Sequence, residues 1–443
     1  MAAGKQQQQQ QALALAGLRV IEFGGLAPGP FAGMVLADFG ADVVRINRSD
    51  ETSTYDVLAR GKRSIQLNLK QPAGVDLVLR LLDKADVLID PYRPGVLERL
   101  GLGPDVVLRR NPRLIYARLT GFGQTGPLAS MAGHDINYIA ITGVLSLLGR
   151  KDSAPQFPAN IVGALALPST ASPKSDFAGG GMLCVVGILI ALFERQKSGK
   201  GQVVDAAMVP IDHCSLTQFH GAQVDGATYL SSFIFRMRQK GMWNAPRGEN
   251  LLDSGAPFYD VYETSDGKFM AVGALEPQFY AELIKGLGLD ARKIPKQGDM
   301  SRWDELRRIF ADTFKSKTRD EWTAVFMGKD ACVTPVIDPD EAPLFDANRA
   351  RSVMVLSADR AAEPDAKDDP LAFEPAAAPR LSRTPARPSR DGVALPEPRI
   401  GQHTTEVLAE AGLSEDEIKQ ALGAGIAGPA LRRKAKSKAA AKL

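Results

Sequence analysis

Residues 18–46 read LRVIEFGGLAPGPFAGMVLADFGADVVRI. Leu18 to Phe23 is a short β run. Gly24-Gly-Leu-Ala-Pro-Gly-Pro30 then turns the chain into a helical pattern that reaches about Asp38, and Asp42 to Ile46 is the next strand. A strand, a helix and a strand in this order form a parallel crossover, which predicts an α/β fold with a doubly wound parallel sheet. The glycines at 24, 25 and 29 do not match GxGxxG, so the dinucleotide fingerprint is absent.

The same alternation continues outward. Ser64 to Asn68, Asp86 to Asp90, Leu114 to Leu119 and Val203 to Ala207 read as strands, and Gly74 to Lys84 as an amphipathic helix. Open α/β sheets bind ligands beyond the carboxyl ends of their strands. Arg48, Lys70, Tyr92 and Arg93 fall there, where cations hold phosphates. Each taken alone reads as a solvated surface residue, and their shared placement argues for a site. Thr120 to Pro127 is a glycine-rich loop. From Phe258 the pattern changes: two β runs flank Ser265-Asp266-Gly267, and helices are expected at Gln278 to Leu287, Trp303 to Phe314 and Arg319 to Phe326. The domain reading is a disordered low-complexity tail over 1–17, a large domain over 18–209, a linker helix and small α+β domain over 225–340, a return segment over 341–422 and a basic tail over 423–443.

Composition excludes several classes. The chain has 443 residues and a net charge of +3 from 54 basic and 51 acidic residues, so it carries no electrostatic footprint for nucleic acid. Cys184, Cys214 and Cys332 are widely spaced, which points to a reducing compartment rather than a disulfide scaffold. Cys184 reads as a core residue. Only His213 and His220 lie near each other in sequence, and no metal site is expected. The longest apolar run, Met182 to Phe193, is shorter than the roughly 20 residues of a membrane span and reads as a buried helix.

Gly133-His-Asp-Ile-Asn-Tyr138 and Asp176-Phe-Ala-Gly-Gly-Gly181 carry the candidate chemistry, with Glu276 downstream. Together with Gly25 to Phe31, Leu36 to Arg45, Ser198 to Ala206, Leu252 to Tyr259 and Gly273 to Tyr280, these pieces resemble the α-methylacyl-CoA racemases of the class III CoA-transferase family. The match resumes weakly at Pro379 to Arg383 and Gly401-Gln-His-Thr404. The resemblance implies a large Rossmann-like domain, a smaller α+β domain and an interlocked homodimer. It also implies an acyl-CoA substrate with no cofactor beyond its own CoA. CoA contacts fall on Arg48, Leu67, Asn68, Leu69, Lys70, Pro91, Tyr92, Arg93, Arg99, Gly133, Asp135, Ile136, Asn137 and Tyr138. The catalytic pair falls on His134 and Asp176, with Glu276 pairing to the histidine. Asn47 and Asp90-Pro91 stand where relatives commonly differ.

Inverting a 2-methylacyl-CoA requires acid/base groups on opposite faces of the α-carbon. A histidine titrates near neutrality and suits one role, here His134. Asp176 must be protonated part of the time, which burial favours. Glu276 would orient His134 and stabilise its cation. The first N–H groups of the helix from Phe177 would bind the enolate oxygen, and Gly179, Gly180 and Gly181 would allow close approach. Taken alone, a histidine in such a stretch is structural, an aspartate before a helix is a cap, and Glu-Pro is surface; the joint pattern favours the catalytic reading.

Residues 164–175 and 210–224 interrupt the family pattern, and each is either a surface loop or a translated intron. Two rival functions stay open: a class III CoA-transferase with Asp176 as nucleophile, and a non-catalytic CoA-thioester binder. The first has no need of His134, and the second follows if the segment before Asp176 displaces it. The closing Ala441-Lys442-Leu443 resembles the Ser-Lys-Leu address, which predicts a peroxisomal location and an import receptor as partner, with mitochondrion and cytosol as alternatives.

Overall fold

The computed structural model describes residues 13–25, 27–52, 56–156, 177–207, 231–387 and 392–431. The chain divides into two compact units. The first holds Met1–Thr142, Ala159–Leu230 and Pro343–Leu443, and the second Gly143–Pro158 and Ser231–Ala342.

The first unit is built on a seven-stranded sheet in the order β12-β3-β2-β1-β4-β5-β6. Its strands are β1 (Arg19–Phe23), β2 (Asp42–Arg48), β3 (Arg63–Leu67), β4 (Val87–Asp90), β5 (Ile115–Thr120), β6 (Val203–Ala207) and β12 (Ala427–Gly428). Every pairing from β3 to β6 is parallel, and β12 joins β3 antiparallel. The central strands are buried on both faces, and β1, β2, β3 and β5 carry the buried polar residues Glu22, Arg45, Asn47, Ser64, Gln66 and Arg118 among their apolar ones. Ile21, Phe23, Val44, Ile65, Leu88 and Tyr116 face one layer, with α2 (Pro72–Leu82) and the C-terminal helices Thr404–Glu410 and Glu415–Gly423. Val20, Val43, Val87, Ile115 and Ala117 face the other, with α1 (Pro28–Asp38) and α6 (Leu183–Ser198). The expected strands and the β-α-β opening are all present.

Cys184 is fully buried on α6, and burial pushes its thiol up to about 12. The helical stretch Gly179–Ser198, one π-helical turn followed by α6, is long and apolar enough to cross a membrane by length and composition. It therefore exceeds the apolar run that the sequence suggested. Cys184, Val185, Ile188 and Ala191 pack it on the sheet, while Met182, Val186, Leu189, Ile190 and Phe193 leave an apolar stripe exposed.

The second unit has a three-stranded antiparallel sheet of β7 (Tyr259–Glu263), β8 (Phe269–Gly273) and β9 (Val333–Val336). The expected Ser-Asp-Gly hairpin joins β7 and β8, with Gly267 at a φ of 75°. Helices Pro277–Gly286, Trp303–Phe314 and Arg319–Phe326 cover one face, around Phe258, Tyr262, Phe310, Phe314, Trp322 and Phe326.

Three boundaries differ from the sequence reading. Residues 13–17, read as part of a disordered tail, pack on the first unit, with the Leu15 N–H donating to the Phe39 carbonyl at 2.9 Å and Leu15 against the core, because Leu13 and Leu15 are apolar where residues 6–11 are all Gln. Residues 143–158 belong to the second unit, because Arg150 pairs with the buried Asp260 and Arg247 donates to the Ser146 carbonyl. Their tether is made of ion pairs and hydrogen bonds and carries no periodic signal. Residues 427–428, read as part of a basic tail, form a strand, because β3 otherwise leaves an unpaired edge. Met1 to Gln11, residues 164–175 and 210–224, and Ala441, Lys442 and Leu443 lie outside the described residues.

Candidate active site

The chain winds from β1 through β2 to β3 on one side and from β4 through β5 to β6 on the other. The switch point lies between β1 and β4, where open α/β sheets place their ligands. A cleft of about 780 Å³ opens there. Gly25 and Pro28 line it after β1, Pro91 to Pro94 with Val96 and Arg99 after β4, and Leu119 to Phe122 at the end of β5 and just beyond it. Residues 129–134 and Tyr138 close it.

The loop after β4 is held by its last strand residue. The Tyr92 N–H donates to Asp90 Oδ1 at 2.9 Å, and the Tyr92 hydroxyl donates to the Gly24 carbonyl at 3.0 Å. Burial pushes the Asp90 carboxyl up to about 6, against the pull of the Tyr92 N–H and Arg118. Arg118 Nε lies 3.6 Å from Asp90 Oδ2, and its Nη1 lies 2.8 Å from Glu98. Burial, with the Asp90 charge second, pushes the Tyr92 phenol up to about 12. The ring therefore meets a ligand as a neutral surface.

His134 is the N-cap residue of α5 (Asp135–Ile141), in extended backbone geometry. Its N–H donates to Asn137 Oδ1 at 3.0 Å, and its carbonyl receives the N–H groups of Asn137 and Tyr138. The imidazole is exposed on the cleft wall. Tyr138 is buried, stacks edge-on against Phe122 at 4.9 Å, and donates its hydroxyl to the Gly133 carbonyl at 2.5 Å. Local bonds on both sides of His134 thus fix the backbone that presents it.

The cleft gathers Pro91, Tyr92, Arg93, Arg99, Gly133, His134 and Tyr138. Ile136 and Asn137 sit exposed on α5, which Asp135 begins. Arg48 and Lys70 lie at the ends of β2 and β3, beyond the cleft's lining, and both approach Asp50, at 3.2 and 3.8 Å. Their side chains are 73% and 86% exposed, which leaves both available to a phosphate. The Leu67 side chain is sealed in the sheet core, and its backbone pairs with β2 on one side and β12 on the other. Leu69 also packs against that core, and Asn68 donates its N–H to the Ile426 carbonyl.

Gly181 is used differently from the expectation. A Cβ there would sit 2.7 Å from Phe31 and 2.9 Å from the Pro28 carbonyl, so its missing side chain lets the π-helical turn Phe177–Met182 press on α1. Gly179 and Gly180 are buried in the same turn. Glu276 is exposed at the N-cap of helix Pro277–Gly286 in the second unit. Asp176 lies outside the described residues. Phe122 was missed as a lining residue; Asp90, noted only as a departure from relatives, ties down the lining loop through the Tyr92 N–H.

The chain matches CoA-transferase family III over residues 15–404. It is 48% identical over 408 residues to a mouse protein named alpha-methylacyl-CoA racemase, covering 92% of this chain and 96% of that protein. The human protein of the same name is 48% identical over 412 residues, with the same coverage. A CAIB/BAIF family protein from Brucella suis shares the fold, with a TM-score of 0.69 at 23% identity over 90% of this chain and 100% of that one. The switch-point cleft, its histidine and these matches together establish that the chain belongs to CoA-transferase family III.

Proposed function

We propose that the chain is a racemase that interconverts the (2R) and (2S) forms of 2-methylacyl-CoA thioesters. One observation carries the reading: an exposed histidine on the wall of the switch-point cleft, in a chain 48% identical to proteins named for this activity. A thioester carbonyl acidifies the α-hydrogen. When a base takes that proton, the C–H electron pair moves onto the carbonyl oxygen as an enolate. Returning a proton to the opposite face inverts the centre.

In this reading the His134 imidazole serves one face and the Asp176 carboxyl the other, each reversing its role with direction. Glu276, reaching across the proposed homodimer, stabilises the imidazolium. N–H groups in the turn Phe177–Met182 stabilise the enolate oxygen. Arg48, Lys70, Arg93 and Arg99 meet the CoA phosphates. No further cofactor takes part, since removal and return of a proton needs no electron acceptor. A homodimer belongs to the same reading, and the apolar stripe Met182, Val186, Leu189, Ile190 and Phe193 supports a second copy as its cover. A peroxisomal setting rests on Ala441-Lys442-Leu443 and is tested by import of a fluorescent fusion bearing residues 432–443.

The reaction is tested by incubating (2R)- and (2S)-2-methylacyl-CoA separately in deuterated water. Racemisation predicts deuterium at C2 with loss of configuration from either start, and His134→Ala abolishing both. Transfer of CoA to an added carboxylate without α-exchange identifies the transferase instead. Binding without either reaction identifies a thioester-binding protein.

A further inference from the structure

The loop that carries Arg48 is held from behind by an unusually complete polar network. Gln66 on β3 is buried, and the two N–H groups of its side-chain amide are shared among three carbonyls of that loop: Arg48 at 2.9 Å, Ser49 at 3.2 Å and Glu51 at 3.0 Å. Asn47 donates to the Glu51 carboxylate at 3.1 Å and accepts the Ser64 hydroxyl at 2.8 Å. The Ser64 hydroxyl in turn accepts the Gly401 N–H at 3.0 Å. Asn47, Ser64, Gln66 and Thr404 are all buried, so the network is shielded from competing water.

Its far end is the turn Gly401-Gln-His-Thr404, a motif to which the reaction assigns nothing. His403 exchanges two bonds with the Ser64 backbone, its N–H to the Ser64 carbonyl and its Nδ1 receiving the Ser64 N–H. Thr404 Oγ1 accepts the Gln66 N–H at 3.2 Å. The turn thus stands in for a strand beside β3. Further along, Gly428 of β12 leaves no space for a side chain, because a Cβ would run into the Gln66 amide. The amide is fixed by the Arg48–Glu51 loop in front and this glycine behind.

We propose that the Gly401–Thr404 turn, with Ser64, Asn47 and Gln66, is a positioning device for the nucleotide end of the substrate. It holds the Arg48–Glu51 loop in the shape that presents Arg48 to a CoA phosphate. The inference rests on the CoA-thioester reading. An exposed arginine on a free loop loses conformational entropy when it grips a phosphate, and a loop pinned in advance lowers that loss. Gln66 and Thr404 touch no substrate and act only through the loop.

The test compares 2-methylacyl-CoA with the 2-methylacyl-pantetheine thioester, which lacks the nucleotide, and measures free CoA binding by calorimetry. Gln66→Leu and Thr404→Val are expected to raise the KM for the CoA thioester roughly 10-fold, within the range for losing one charge-assisted hydrogen bond. Their kcat should stay within about 2-fold, and kinetics on the pantetheine thioester should not change. The salt dependence of CoA binding should flatten toward that of Arg48→Ala, and Thr404→Ser should retain wild-type affinity. Equal effects on both thioesters, or none on either, would overturn the proposal, as would wild type binding pantetheine as tightly as CoA. If wild type binds CoA and Gln66→Leu weakens it while no α-proton exchanges, the positioning device stands and the racemase reading fails.

Discussion

Asp90→Asn isolates one buried charge at the end of β4, behind the loop that lines the cleft. The carboxyl is fully buried and pushed up to about 6 from an ordinary 3.8, with desolvation the largest cause. A carboxyl whose folded value is raised contributes stability in full below the unfolded value. That contribution is lost as pH rises through the folded value. A shift of about 2 units corresponds to about 3 kcal/mol at pH 7.5, and about half of that is already lost at pH 5. Asparagine removes this penalty and keeps an acceptor for the Tyr92 N–H. Arg118 loses a partner at 3.6 Å but retains Glu98 at 2.8 Å, so the net gain is smaller than the full penalty. Urea denaturation of both proteins from pH 5 to 7.5 is expected to show Asp90→Asn gaining on wild type as pH rises, by roughly 1–2 kcal/mol across that window. A stability difference that stays flat with pH, or that moves toward wild type at high pH, would refute the buried-charge argument.

Other perturbations have equally direct readouts. Lys62 and Glu22 are both fully buried, with Nζ at 2.9 and 2.7 Å from the two carboxylate oxygens and 2.8 Å from the Pro30 carbonyl. Lys62→Met should cost about 3–5 kcal/mol in chemical denaturation, and adding Glu22→Leu should recover most of it. Tyr138→Phe removes the hydroxyl that holds the Gly133 carbonyl, and stopped assays should show kcat falling roughly 10-fold with KM little changed, because placement of His134 loosens. Asp50→Asn frees Arg48 and Lys70 from an internal carboxylate and should tighten CoA binding ~2- to 5-fold in calorimetry, an effect that added salt erases. Ile190→Glu places a charge in the exposed apolar stripe, and on the proposed homodimer sedimentation is expected to show dimer for wild type and monomer for the variant.

The sheet was legible because short segments rich in Val and Ile alternate with helical segments in a repeating β-α order. Val203 to Ala207, Trp303 to Phe314 and Arg319 to Phe326 match their elements residue for residue. His134 was legible as a member of a compact motif, and the cleft places it with Tyr92, Arg93 and Tyr138. Contacts that depend on distant partners were not legible. Arg150 joins the second unit through Asp260, more than a hundred residues away. Gln66 looks like any polar strand residue until the Arg48–Glu51 carbonyls converge on it. Gly181 read as room for substrate and serves as room for Phe31, since sequence shows that a side chain is missing but not what fills the space.

The pairing of β12 with β3 has a consequence for biosynthesis. Ala427 meets Leu67 across about 360 intervening residues. At roughly 5–20 residues per second, the ribosome needs on the order of 20–70 s between making one partner and making the other. Throughout that interval β3 presents an open edge to other nascent chains, which is the arrangement that promotes strand-to-strand aggregation. Truncation before residue 427 leaves the Gln66–Leu67 end of that edge permanently without its strand partner. Yield in cells should therefore depend on the last described residues more steeply than their small contribution to the core suggests, and on chaperone capacity during translation.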